Sequence, residues 1–502
     1  MDSRRDFFRK ALASGAAIWT GMRTPLFAAS SQEAKPPAAP VKDADVTAEW
    51  TRLHADPKAA PGKTYKTGHV TPSNTVAKLE KTATGYVIQL PGGTPVPTPA
   101  VYKDRLYVSA GFHGKQYFCF EAATGKPLWA VDLDDDGPST AACEDDIVVV
   151  NTESCTIFAL EASTGKGLWS LWLGDPLMTS PTIAKGRVFT SFPADGRAHH
   201  PEAGHLLGAF DLKSGKILWQ RWIDGDVISA PVAVGDEVVA ATFTGTVFRF
   251  HQETGELLSA IKSRATSAPV VVGKELHFSR RSEQSGPALE CLAVWEKGGG
   301  GKPANEFAAK KADHLESAVQ GKAALKEAGA QLDAANGFGG GAPATAKAAE
   351  ALMNVGQSNV ATLQSFQGSR VLRYGDRNVS CMGDEVICAD PRDGKKAWTV
   401  KLKGDLAKSG GFLGAPPVAA GGSLFMTTLA GAVLQLKPET GETLKSWEIG
   451  REMRFPPTVE GGRIFVGTQD GRVVCIETGD PKHTGWPQWG GNAQRTGIAT
   501  GS

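Results

Sequence analysis

The sequence predicts an all-β propeller of eight blades, with seven as the alternative count and an alanine-rich helical insertion. Three observations predict it. A Thr-Gly or Ser-Gly turn recurs at a common separation of about 40 residues, the period of a four-stranded blade. A tryptophan recurs four residues after the turn glycine, at Trp129, Trp169, Trp219 and Trp398. The first β-like run, residues 86–90, fits the strand that the last repeat lacks.

The turn glycines are Gly125, Gly165, Gly215, Gly255, Gly394, Gly441 and Gly479, with Gly298 in the fifth place. Between two alternating strands such a turn closes a hairpin, and glycine supplies its positive φ. Four residues before the glycine stands Glu121, Glu161, Asp211 or Asp390, a carboxylate suited to bonding turn groups. Each tryptophan is expected flat against the neighbouring blade, burying on the order of 200 Å². In the first blade the strands open at Pro99-Ala100-Val101 and continue through Leu106-Tyr107-Val108, Tyr117–Phe120 and Trp129–Leu133. Pro181, Pro231, Pro269, Pro417 and Pro457 mark later inner-strand starts, where a missing amide donor costs little. After Gly479 the chain gives Asp480-Pro481-Lys482 instead of a fourth strand. Tyr86-Val87-Ile88-Gln89-Leu90 aligns with Trp129-Ala130-Val131-Asp132-Leu133, so it is expected to close the last blade and remove an open edge.

The segments outside the ring divide by composition. Residues 1–29 carry Arg4-Arg5, then Phe7-Phe8 and Lys10, a weakly apolar stretch and small residues at 28–30. This has the form of a twin-arginine export signal, and a periplasmic or otherwise extracytoplasmic mature chain is expected. The first cysteine is Cys119, so no lipid anchor on a new N-terminal cysteine is expected, nor is a membrane span. Residues 30–65, rich in Ala, Pro and Lys, are expected as a linker. Residues 66–298 hold blades 1–5. Residues 299–365 form an insertion with helical runs at 308–335 and 344–363, broken at Gly337–Gly341. Disorder is the alternative there, and a partner-docking arm and a tolerated insertion are both open. Residues 366–502 hold blades 6–8 and a tail whose Trp486 and Trp489 are expected to pack on the last blade, with a ligand platform as the alternative.

Lys plus Arg number 54 against 53 Asp plus Glu, so no net field steers the chain to nucleic acid. A monomer is expected.

The unit Thr124-Gly125-Lys126-Pro127-Leu128-Trp129 returns at 164–169 and as Ser214–Trp219. It resembles the pyrroloquinoline-quinone (PQQ) type repeat of quinoprotein dehydrogenases and BamB-like propellers, over roughly residues 86–298 and 366–480. The resemblance implies one of two functions. One is a binding or scaffolding propeller that engages envelope proteins or a small ligand. The other is a PQQ-dependent alcohol or sugar dehydrogenase, holding PQQ and Ca²⁺ over the channel, with the quinone stacked on a disulfide between adjacent cysteines. The sequence has no adjacent cysteine pair and no Cys-x-x-Cys-His haem site. No catalytic or cofactor-binding residue is therefore assigned, and scaffolding is preferred.

Cys119, Cys388 and Cys475 occupy a slot for small buried residues, and Cys143–Cys155 or Cys381–Cys388 stay open as disulfides. His199, His200 and His205, near Asp195 and Glu202, are candidate ligands of a loop metal site, with a solvated loop as the plainer reading. The loops after the outer strands carry Asp134, Asp135, Asp136, Asp175, Asp224, Asp226 and Asp405. They form a candidate acidic ligand face, or simply satisfy turns.

Overall fold

Alternating apolar runs joined by tight turns fold, among the described residues, into eight antiparallel sheets. The computed structural model describes residues 43–56, 65–111, 113–174, 179–194, 203–281, 289–296, 305–311, 370–405 and 412–499. Blade 1 shows the pattern, an inner strand Ala100–Tyr102 followed outward by Arg105–Ser109, Gln116–Glu121 and Pro127–Leu133. The inner strands of blades 2–8 are Ala142–Glu144, Thr182–Ala184, Val232–Val234, Val270–Val272, Leu372–Tyr374, Val418–Ala420 and Thr458–Glu460. Inner strands pack side by side from blade 6 through 7, 8, 1, 2 and 3 to blade 4, so the last blade meets the first. The prolines expected at strand starts each stand one residue before these strands, as Pro181, Pro231, Pro269, Pro417 and Pro457.

The ring closes where Gly85–Gln89 pairs with Arg472–Glu477 of blade 8, Val87 opposite Val474. The final blade thus takes its fourth strand from the start of the propeller. Chain ends that complete one sheet leave no seam to fray.

Each repeat tryptophan ties its blade to the next. The indole Nε1 of Trp129, Trp169, Trp219 and Trp398 donates to the carbonyls of Ala162, Leu212, Gln252 and Pro438, at 3.1, 2.8, 2.9 and 2.7 Å. Tyr86 does the same from the closing strand, its hydroxyl donating to Ala122 O at 2.8 Å. The ring lies under the next turn glycine. A Cβ on Gly165, Gly215 or Gly255 would come 2.6 Å from the preceding tryptophan. Glycine is therefore needed twice over, for its φ of +67° to +75° and for this close approach. The turn carboxylates act locally: Glu121 and Glu161 accept from Thr124 and Thr164 hydroxyls, and Asp211 from the Ser214 amide at 2.8 Å.

Two expectations are corrected. The first is the linker over 30–65, which from Asp43 onward is a belt around the outside of the ring. Ala44–Asp45 adds an edge strand to blade 4, and a helix, α1 (Thr47–Ala55), packs on the outer strands of blades 3 and 4. Its Trp50 is buried edge-on against Phe248 at 5.0 Å. Tyr65 then meets Phe192, Lys66 bridges Trp172, Val70–Pro72 pairs with blade 1, and Lys78–Thr82 extends blade 8. The physical reason is edge protection: an outer strand has unpaired amides, and passing chain satisfies them.

The second correction concerns the insertion. Asn305–Lys311, expected to enter a helix at Ala308, is instead the outer strand of blade 5, paired with Leu289–Glu296. Blade 5 therefore runs past the boundary at 298. Alanine's helix preference is under about 1 kcal/mol per residue, and an open sheet edge outweighs it. Gly298 and residues 312–369 lie outside the described residues.

Candidate functional site

The channel along the ring axis is bordered by three-residue inner strands, each with an edge facing inward. The C-terminal tail supplies partners for those edges. After Glu477 the chain turns inward, and the Gly462 amide donates to His483 O at 2.9 Å. Val459 and Trp486 exchange amide bonds at 2.9 and 3.0 Å. Val101 donates to Pro487 O at 2.6 Å, and Cys143 to Gln488 Oε1 at 3.1 Å. Ile183 donates to Ala493 O, Ala233 to Gln494 O, and Arg373 to Gly497 O, at 2.9, 3.0 and 3.2 Å. The tail thus bonds the inner strands of blades 8, 1, 2, 3, 4 and 6. Buried backbone donors need such acceptors.

At the centre stand two buried guanidinium groups. Arg495 is fully enclosed and donates to the carbonyls of Trp489 (2.6 Å), Ala141 (2.7 Å) and Pro181 (3.1 and 3.2 Å). Arg370 donates through Nη2 to Arg495 O, and its Nε and Nη1 are buried with no acceptor among the described residues. Trp489 lies 4.6 Å from the Arg370 guanidinium and 5.5 Å from that of Arg495, within cation–π range. Burial, and then the Arg495 charge, lowers the Arg370 pKa to about 9, so it remains protonated at neutral pH. Gly490 and Gly497 make room for it: a Cβ at either would come 2.9 or 3.0 Å from an Arg370 nitrogen. Beside this group is a small pocket walled by Arg370, Pro416, Pro417, Pro456, Trp486 and Trp489. The prolines precede inner strands, which puts them toward the loop face, away from the hairpin turns.

The sequence-derived candidates fall elsewhere. Asp135 accepts from the hydroxyls of Thr152 and Thr156, and Asp224 from Thr246. Asp226 accepts from Thr179 (2.6 Å), from Ser191 and from the Val227 amide (2.9 Å). These carboxylates staple one blade to the next. Asp136 lies 3.6 Å from Lys115, and Asp175 is outside the described residues. His205 opens the third strand of blade 3, while His199 and His200 are outside the described residues. Among the described residues no group of three His, Cys, Asp or Glu is placed to hold a metal ion.

The disulfides left open by the sequence are corrected: neither Cys143–Cys155 nor Cys381–Cys388 forms, and all four cysteines are buried thiols, as are Cys119 and Cys475. In the ladder Cys381 faces Val386 and Cys388 faces Val379, so the two do not oppose each other. Burial pushes the thiols of Cys143 and Cys475 up to about 12 and that of Cys388 to about 11. We expect these thiols to resist Ellman's reagent in native protein at pH 8 and to react at once in denaturant. Rapid native labelling of Cys143 or Cys475, mapped by mass spectrometry, would contradict their placement. The donor set does not fit a quinone and calcium: no adjacent cysteine pair exists in the chain, and among the described residues no three His, Cys, Asp or Glu are grouped to hold a metal ion.

Arg370 and Arg495 were not legible as site residues. Each is a single arginine outside the repeat unit, and only the fold brings them together. Trp486 and Trp489 were noticed, and the structure divides them: Trp486 pairs on blade 8 while Trp489 reaches the arginines.

Comparison with known proteins agrees with this architecture. The family profile described as outer membrane protein assembly factor BamB matches residues 114–199, 190–337 and 383–499. No curated protein sequence matches the chain. The crystal structure of BamB from Moraxella catarrhalis is 14% identical, with a TM-score of 0.51 over 80% of this chain and 100% of its own. The computationally designed Ika8 protein is also 14% identical, with a TM-score of 0.51 over 78% and 98%. Sqt1 of Saccharomyces cerevisiae is 10% identical, with a TM-score of 0.54 over 81% and 99%. At these identities the likeness is one of fold.

Proposed function

Because the chain belongs to the BamB family of PQQ-type β-propellers, we propose that it is a binding or scaffolding propeller of the cell envelope. The observation that carries this reading is the use of the ring's interior. Six of its eight inner-strand edges are bonded by the chain's own tail, and the loop carboxylates Asp135 and Asp226 are spent on joining blades. What remains for a protein partner is the outer surface, and above all the loop face. The connections at 194–204, 281–289 and 311–370 all leave the blades on that face. Arg4-Arg5 supports export by the twin-arginine route to the periplasm. The segment 312–369 is the arm we expect a partner to engage.

The test is co-purification after cross-linking in the native host, with the intact chain and with residues 312–369 replaced by a short Gly-Ser linker. We expect a discrete envelope protein with the intact chain and its loss with the shortened one. Identical empty recoveries would count against scaffolding. Dye reduction by pure protein given PQQ, Ca²⁺ and an alcohol would overturn it in favour of a dehydrogenase.

A further inference from the structure

We propose that the pocket beside Arg370 is a binding site for a small anion, of the size class of a halide, phosphate, sulfate or free carboxylate. Four observations lead there. Arg370 is about one-twentieth exposed and charged, and two of its nitrogens have no acceptor among the described residues. An uncompensated buried cation is strongly destabilising, so a compensating anion is the economical occupant. A second guanidinium, Arg495, adjoins it and spends its donors on neutral carbonyls, which leaves the positive charge of the pair uncancelled. No carboxylate is among the residues that wall the pocket. Its other walls are prolines, aliphatic side chains, glycines and the two tail tryptophans, a low-polarity lining in which a charge pair interacts strongly.

The position is also built with care. Arg370 lies between Gly490 and Gly497, both at positive φ (+77° and +70°), where any larger residue would crowd the guanidinium. Its Nη2 is fixed by the Arg495 carbonyl, so the guanidinium is oriented before a ligand arrives. Because the site joins the tail to blades 6, 7 and 8, an anion bound there would lock the tail into the ring. Anion binding and tail docking should therefore be linked.

Two measurements test this. In a dilute zwitterionic buffer, sodium phosphate, sodium sulfate and sodium bromide would be titrated separately into the full chain and into Arg370→Gln, following thermal unfolding. We expect a saturable rise of about 3 °C at a hundredfold excess over Kd for at least one anion, absent in the variant. An equal, unsaturable rise in both proteins would be a general salt effect and would overturn the proposal. Should Arg370→Gln fail to fold, bromide-soaked crystals of the unaltered protein decide by anomalous scattering. A bromide peak within hydrogen-bonding distance of Arg370 supports the site. Water alone there, or a carboxylate of this same chain, refutes it.

Discussion

A chain ending at Asp480 is expected not to yield a folded monomer. The truncation removes Trp486 and Trp489, each 3% exposed, and the Arg495 side chain with its carbonyl contacts. Deleting one buried tryptophan side chain costs about 3–5 kcal/mol. Two of them approach the whole stability of a typical domain, about 5–15 kcal/mol. The inner-strand amides of Val101, Ile183, Ala233 and Arg373 would also lose their acceptors. Expression, gel filtration and circular dichroism check the outcome. A soluble truncation melting within a few degrees of the full chain would show that the tail is an ornament on a self-sufficient ring.

Trp219→Ala is the second large effect. The indole is 6% exposed, donates to Gln252 O of blade 4 and lies beneath Gly255. It also meets Phe189 at 5.9 Å and Phe250 at 6.1 Å. Its removal opens a cavity at the interface of blades 3 and 4 and leaves a buried carbonyl without its donor. We expect a loss of about 3–5 kcal/mol by denaturant unfolding. Trp129→Ala, at a half-buried site of the same type, should cost clearly less. Equal and small losses at both positions would contradict the role given to these rings.

The repeat was legible because it obeys a local rule many times over. Thr-Gly-Lys-x-Leu-Trp at a fixed period fixes the hairpin, and the same offset of Trp129, Trp169, Trp219 and Trp398 announces a repeated packing partner. Closure was legible through Tyr86, which stands where a tryptophan would and bonds the same backbone position of the next blade. The belt was not. Ala44–Asp45, Val70–Pro72 and Lys78–Thr82 lie at outer edges with mostly exposed side chains, so they carry no alternating pattern; their backbone does the bonding. α1 buries only Trp50 and so lacks the apolar stripe that betrays a packed helix. The channel site was hidden for a related reason. Arg370 and Arg495 are 125 residues apart, and nothing local marks either as buried. Arginine is ordinarily a surface residue, and its burial is decided by the fold alone.

The central claim is that residues from the start of the propeller complete its last blade. Hydrogen exchange of the native, full-length chain, read by mass spectrometry or NMR, tests it most directly. Strand Gly85–Gln89 is paired on both sides, with Arg472–Glu477 and with Lys78–Thr82. Its amides should be protected to the same degree as those of residues 472–477, and the two should open together as denaturant rises. Exchange of 85–89 within seconds, while 472–477 stays protected, would mean that the ring is not closed in this way.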